Sequence, residues 1–230
     1  MTKKTKAKQQ KPANKKLSPA VTHFPSPIRK PTIALSNEEK IEIIASRFKD
    51  ILEVLGLDLE DESIARTPYR VAKMYIEEVF SGLDEKNFPS ISFFQDEFHH
   101  EHAANIVFVK VGFTSFCEHH FVPMEGYAYV SYVPGNKLIG LSKIPRIVRF
   151  FAKRPQLQER LTAQIADSLS LLLDTDDVAV SITARHHCVL ARGIQDESSH
   201  TITNVLRGQF NTNPDLRREF FEGINRRDLS

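Results

Sequence analysis

The sequence predicts an α+β fold, an antiparallel sheet with helices packed on one face. Three observations carry this. Apolar residues at helical spacing open the chain, return in its middle and close it. Two pairs of runs rich in β-branched and aromatic residues lie between those stretches. Each pair is close enough along the chain to fold back as a hairpin. The order helix-helix, strand-strand, helix-helix, strand-strand, helix then layers helices against an antiparallel sheet. Hairpins of this kind leave sheet edges open, so edge-to-edge assembly follows naturally.

Taken in order, residues 1–35 read as a disordered basic arm. Lys3, Lys4, Lys6, Lys8, Lys11, Lys15 and Lys16 crowd it, no acidic residue precedes Glu38, and Pro12, Pro19, Pro25, Pro27 and Pro31 break regular structure. No aromatic residue interleaves with those lysines, which favours a solubilising tail over a nucleic-acid or membrane contact. Residues 36–62 form an N-terminal helical segment. Ser36 and Glu39 make a capping box, Ile41, Ile44, Phe48, Ile51, Leu52 and Leu55 form its stripe, and Gly56 offers a stop. The main domain, residues 63–230, begins with a helix capped by Thr67, with Pro68 in its first turn, running through Val71, Met74, Tyr75 and Val79 to Ser81-Gly82.

Residues 105–111 and 127–133 read as the first strand pair, with Cys117 to His120 on a loop or strand end between them. Ser142 caps a helix over 144–153, and Pro155 divides it from a second helix striped by Leu157, Leu161, Ile165, Leu169 and Leu172. Residues 178–189 form a long strand and 200–210 its partner. Pro214 opens a last helix with Leu216, Phe220 and Ile224 on one face.

Composition narrows the classes. The 230 residues are 41% hydrophobic and 26% charged, with a formal net charge of +2, as in a globular chain able to bury a core. No apolar run approaches the ~20 residues a membrane span needs, and the lysine-rich start lacks the apolar segment of a secretory signal. The expectation is a cytoplasmic protein with neither a membrane nor a nucleic-acid partner.

Two cysteines stand far apart, Cys117 in Cys117-Glu118-His119-His120 and Cys188 in Arg185-His186-His187-Cys188. A disulfide is the simplest reading of any such pair, but a cytosolic chain keeps its thiols reduced, which favours metal binding or catalysis. Two thiolates and one imidazole suit Zn²⁺ and leave a fourth tetrahedral position for water, whose pKa the ion lowers toward ~7. Spacing alone leaves open a closed structural zinc with two histidines and a pair of unrelated core thiols. His99, His100 and His102 form a rival cluster beside Glu97 and Glu101, which reads as a surface loop.

Longer motifs go further. Gly112-Phe113-Thr114-Ser115-Phe116-Cys117-Glu118-His119-His120 is one, and Ile139-Gly140-Leu141-Ser142-Lys143-Ile144-Pro145-Arg146 a second. Arg154-Pro155-Gln156-Leu157-Gln158-Glu159-Arg160-Leu161-Thr162 follows, then residues 184–193 around His186-His187-Cys188. With Arg66-Thr67-Pro68-Tyr69-Arg70, these motifs run in order over residues 63–224 and closely resemble the GTP cyclohydrolase I family.

That resemblance implies conversion of GTP and water to 7,8-dihydroneopterin triphosphate and formate. It implies the tunnel-like fold (T-fold), in which sheets of several subunits join into a barrel, and a homodecamer of two pentamers with active sites between subunits. It places the zinc ligands on Cys117, His120 and Cys188, and the catalytic histidines on His186, which protonates guanine N7, and His119, which moves protons during ring opening and formate loss. It gives Glu159 the guanine N1 and N2 donors, with Gln158 beside it, and Lys143, Arg146, Arg192 and Arg70 the triphosphate, with Ser142 near the ribose or phosphate. His187 and His200 depart from the usual family residues. Two alternatives share the resemblance: an inactive nucleotide-binding scaffold, and a tunnel-fold reductase of deazapurine nitriles that works by a cysteine nucleophile without zinc.

Overall fold

The computed structural model describes residues 35–95, 106–135 and 137–226. The basic arm, apart from Leu35, and the cluster of His99, His100 and His102 lie outside the described residues. In chain order the helices are α1 (Asn37–Val54), α2 (Thr67–Lys73, continuing as a π-helical turn, Met74–Val79), α3 (Lys143–Ala152), α4 (Gln158–Leu173), α5 (His187–Leu190), α6 (Gln209–Thr212) and α7 (Pro214–Asn225). The strands are β1 (Phe93–Gln95), β2 (Val107–Cys117), β3 (Pro123–Tyr132), β4 (Lys137–Ile139), β5 (Pro155–Gln156), β6 (Val178–His186) and β7 (Thr201–Leu206).

Local chemistry explains the helix ends. Ser36 Oγ accepts from the Glu39 N–H at 3.2 Å while the Glu39 carboxylate accepts from the Ser36 N–H at 2.7 Å, so the capping box closes reciprocally. Thr67 is the first helical residue of α2 rather than its cap. Arg66 holds the cap position, and Pro68, with its preset φ, starts the turn. Ser142 does stand at the cap of α3, but its side chain makes no capping bond. In α7 the Asn213 side chain accepts from the N–H groups of Asp215 and Leu216.

The main sheet runs β5-β2-β3-β6-β7. It is antiparallel except for the short parallel pairing of β5 with the end of β2, and β1 and β4 form a separate two-stranded ribbon. Four strand ends differ from expectation. β3 begins at Pro123 rather than 127, and β7 ends at Leu206 rather than 210 because Gln209–Thr212 is helical. The ends of β2 and β6 shift as well. β2 runs on to Cys117 because Val111, Phe113, Ser115 and Cys117 keep alternating inward past Gly112. β6 stops at His186, where the chain turns into α5, so Cys188 sits on a helical turn rather than on a strand.

Period-two alternation gives the sheet two distinct faces. Val111, Phe113, Met124, Ala128, Val130, Val180 and Ile182 point to one face, where they pack with Ile144, Ile147 and Phe151 of α3 and Leu161, Ile165 and Leu169 of α4. Full burial of each large apolar side chain there contributes roughly 1.5–3 kcal/mol. The other face was expected to lack helices, and it does not. Phe108, Tyr129, Ala179 and Leu206 are apolar there too, and Phe210 of α6 with Leu216, Phe220 and Ile224 of α7 cover them. An open groove of about 670 Å³ lies over Gly112, Tyr127, Arg185 and His200, with Arg149 and Lys153 also lining it.

Gly126 stands opposite Phe113 on one side and Ala184 on the other. A Cβ there would lie 2.0 Å from the Thr183 carbonyl oxygen and 2.7 Å from the Ala184 Cα. Gly126→Ala is expected to cost about 3 kcal/mol, seen as a lower denaturation midpoint. Gly112→Ala, whose Cβ would meet only the Tyr127 ring at 3.8 Å, is the control that changes little.

Candidate metal centre

Three strand ends meet at one edge of the sheet, on the face covered by α3 and α4. β2 finishes at Cys117, β3 starts at Pro123, and β6 finishes at His186 opposite Met124. The connection from β2 to β3 is tight: the Cys117 N–H donates to Val122 O and the Phe121 N–H to Cys117 O, each at 2.9 Å. Phe121 takes a left-handed φ of 53° to close it, a conformation uncommon outside glycine. Its ring packs edge-on against Phe80 at 5.2 Å, and Phe80 also meets Phe116 and Tyr75, so an aromatic cluster holds the strained turn. Sequence reasoning missed this cluster, whose members are scattered from position 75 to 121.

The turn places His120 near Cys117, and α5 brings Cys188 to both. One ligand atom from each of the three residues lies within 4.8 Å of the others. Both cysteines are unbridged. Cys117 is buried, Cys188 half-buried and His120 exposed, so the group opens to solvent on one side. Burial pushes the Cys188 thiol above its usual pKa, and the adjacent Cys117 adds to this. Two neighbouring sulfurs ionise together only beside a cation, so the donor set fits a divalent metal with two thiolates, an imidazole and a free position.

α4 supports this group from the side. The Glu118 N–H donates to Gln156 O at 3.0 Å, and the Glu118 carboxylate forms a two-pronged ion pair with Arg160, one contact of which measures 3.3 Å. Arg160 therefore ties the cysteine-bearing turn to the first turn of α4. The signal for it was present in the block from Arg154 to Thr162, where its neighbour Glu159 drew the attention. Gln158, buried in that same turn, lies with its Oε1 at 2.7 Å from His186 Nε2. Burial lowers the His186 pKa, and the nearby Glu159 carboxylate opposes the shift.

Other expected residues divide into two sets. Arg192 reaches the group directly, its guanidinium 2.8 Å from His120 Nε2, and the His119 ring lies 6.3 Å from that of His120. His187 does not join the ligand atoms and faces Glu125 at 3.6 Å. Ser142, Lys143 and Arg146 lie at the start of α3, and Arg70 on α2. Among the described residues, no side-chain hydrogen bond or ion pair links these four to the cysteine-histidine group.

The family described as GTP cyclohydrolase I matches residues 44–225. GTP cyclohydrolase 1 of Aeromonas hydrophila subsp. hydrophila is 51% identical over 193 residues, 84% of this chain and 88% of that protein. GTP cyclohydrolase 1 of Photobacterium profundum is 52% identical over 190 residues, 83% and 87% of the two chains. A solved structure of the archaeosine synthase QueF-Like in the apo form overlaps with a TM-score of 0.37 at 16% identity, over 45% of this chain and 95% of its own, too loosely to bear on fold or function.

Cys188→Ser is expected to lose an added divalent metal on dialysis that the unchanged protein retains, with metal per chain read by elemental analysis. Arg160→Met keeps all three ligands but loosens the turn that carries them. Its zinc affinity, measured by chelator competition, is expected to fall by about 10–100-fold.

Proposed function

Because this chain belongs to the GTP cyclohydrolase I family, we propose that its Cys117-His120-Cys188 group and the histidines beside it open the imidazole ring of GTP. The reaction is hydrolytic: GTP and water give 7,8-dihydroneopterin triphosphate and formate. One observation carries the reading. Two thiols and an imidazole from separate segments converge beside a half-buried histidine, in a chain whose relatives bear this activity by name.

Cys117, His120 and Cys188 would hold the metal, and zinc is the ion this donor set suits best. When bound, such an ion supplies Lewis-acid activation of water at neutral pH. The remaining work falls to side chains. His186 gives a proton to guanine N7, which makes C8 electrophilic, and His119 shuttles protons as the ring opens and formate leaves. Glu159, on the exposed side of the first turn of α4, accepts from guanine N1 and N2. Adenine lacks that donor pair, so a site built around this carboxylate discriminates strongly.

Lys143, Arg146, Arg192 and Arg70 bind the triphosphate, and Ser142 lies near the ribose or phosphate. Arginine suits this because its planar fork meets phosphate oxygens in pairs. With active sites between subunits, Ser142, Lys143, Arg146 and Arg70 of one chain would complete a site with the metal group of its neighbour. The sheet offers the means. The outer edge of β2 is paired only at Phe116 and Cys117, and the outer edge of β7 has no partner strand among the described residues. Edge-to-edge joining of such sheets builds the barrel of a decamer of two pentamers. No helix among the described residues is long and apolar enough to cross a membrane, and we place the enzyme in the cytoplasm.

Zinc-loaded protein incubated with GTP is expected to release formate and yield a fluorescent pterin after oxidation. Absence of formate from intact, metallated protein overturns the reading. His186→Ala is expected to retain zinc and lose at least ~10²-fold in turnover, read as kcat alongside metal content.

A further inference from the structure

The Gln158 side chain, expected beside Glu159 among the substrate-binding residues, is only 1% exposed and is bonded within the protein. Its Nε2 lies 3.0 Å from Ile182 O, 3.0 Å from Thr201 O and 3.1 Å from Thr203 Oγ1. Those two carbonyls accept only, so the nitrogen must face them. The flipped amide would set its oxygen against two carbonyl oxygens at hydrogen-bond distance.

The hydroxyls agree with this orientation. Thr162 Oγ1 donates to Gln158 O at 2.8 Å, which uses its single proton. The 2.6 Å contact between Thr203 Oγ1 and Thr162 Oγ1 must then be donated by Thr203. Thr203 is left with lone pairs to accept from Gln158 Nε2. The amide's two protons are shared among Ile182 O, Thr201 O and Thr203 Oγ1, and each way of sharing them needs the amide oxygen turned toward His186.

That oxygen is an acceptor and nothing else, and it lies 2.7 Å from His186 Nε2. We propose that Gln158 is a positioning residue that fixes the tautomer of His186, holding a proton on Nε2 and leaving Nδ1 as the nitrogen that exchanges protons with substrate. This rests on the reading of His186 as the proton carrier and deepens it. In the reaction the N–H bond broken is at Nδ1 and the bond formed is at guanine N7. The donor is therefore the imidazolium, protonated at both nitrogens. The neutral imidazole left behind keeps its Nε2–H on Gln158, and the proton released by the water that adds at C8 passes through solvent to restore Nδ1–H. A histidine without this lock populates both tautomers, and only one of them presents the reactive nitrogen correctly. The same bond directs the ring, so the gain is one of orientation as well as of proton position.

The test uses the zinc-loaded full chain labelled with ¹⁵N-histidine at about pH 8, above the ordinary histidine pKa. His186 signals are assigned by their loss in His186→Ala. Wild type is expected to show a protonated Nε2 and a bare Nδ1. Gln158→Met is expected to show mixed or reversed tautomers, with kcat lowered about 10–100-fold, KM for GTP within roughly two-fold and zinc content unchanged. Thr203→Val, which leaves both carbonyls holding the amide, is expected to keep the wild-type tautomer.

A wild-type spectrum with the proton on Nδ1 overturns the proposal, as does a Gln158→Met protein with unchanged tautomer and kcat. Should that variant fail to assemble, the wild-type spectrum decides alone. Failure of the underlying function shows separately, as wild type that releases no formate or His186→Ala that still turns over. Either result removes the catalytic role, while the ¹⁵N spectra still judge the hydrogen bond.

Discussion

β3 is hydrogen-bonded to β2 on one side and to β6 on the other, and its register against both decides where the two sulfurs lie. Phe116 pairs with Pro123 and Met124 with His186, so the ends of β2 and β6 finish level at one edge of the sheet. Slippage by one residue would send Cys117 or His186 to the opposite face. Gly126 sits inside this constraint, two residues from Met124, where no side chain fits between the strands. The ligand set, the neighbouring histidine and the docking of α4 all inherit their positions from this three-strand alignment.

Electrostatics reinforces the geometry. Burial favours the thiol form of Cys188, and burial likewise favours the neutral form of His186, while Glu159 draws that histidine the other way. The pocket is thus tuned toward uncharged groups wherever the protein is the only partner. Cations and hydrogen-bond donors from outside shift that balance, which is how a site remains selective for what enters it.

Much of this was legible in the chain itself. The capping box at Ser36 and Glu39, the stripes of α4 and α7 and the hairpin order depend on local chemistry, which sequence reports directly. The cysteines and histidines stood out because few side-chain types bind metals. Other features resisted for a physical reason. Arg160 with Glu118 looks like two solvated charges until α4 and the β2–β3 turn come together. The aromatic cluster around Phe121 looks like core until the left-handed turn it braces is seen. β6 ends at His186 although His187 to Val189 continue its pattern, because its pairing with β3 ends at Met124, next to the first residue of β3, Pro123, and the chain turns there into α5. That α7 covers the second sheet face was not legible, because Phe108, Tyr129 and Leu206 reveal their shared side only once the register is known.

Arg154, buried to 1% exposure between helix α3 and strand β5, carries a consequence for how the chain assembles. Its guanidinium lies over the Phe150 and Phe151 rings, and its Nε donates to Gly82 O at 2.7 Å. Desolvation draws its pKa down only to about 10, so it cannot escape into a neutral form at physiological pH. The Glu85 carboxylate adds a favourable charge nearby, and Gly82 and Glu85 both lie on the segment that follows α2, so docking of that segment is what satisfies the guanidinium. The arginine acts as a proofreader: it penalises near-miss arrangements more heavily than it rewards the correct one, and it makes the two halves of the molecule commit to each other together.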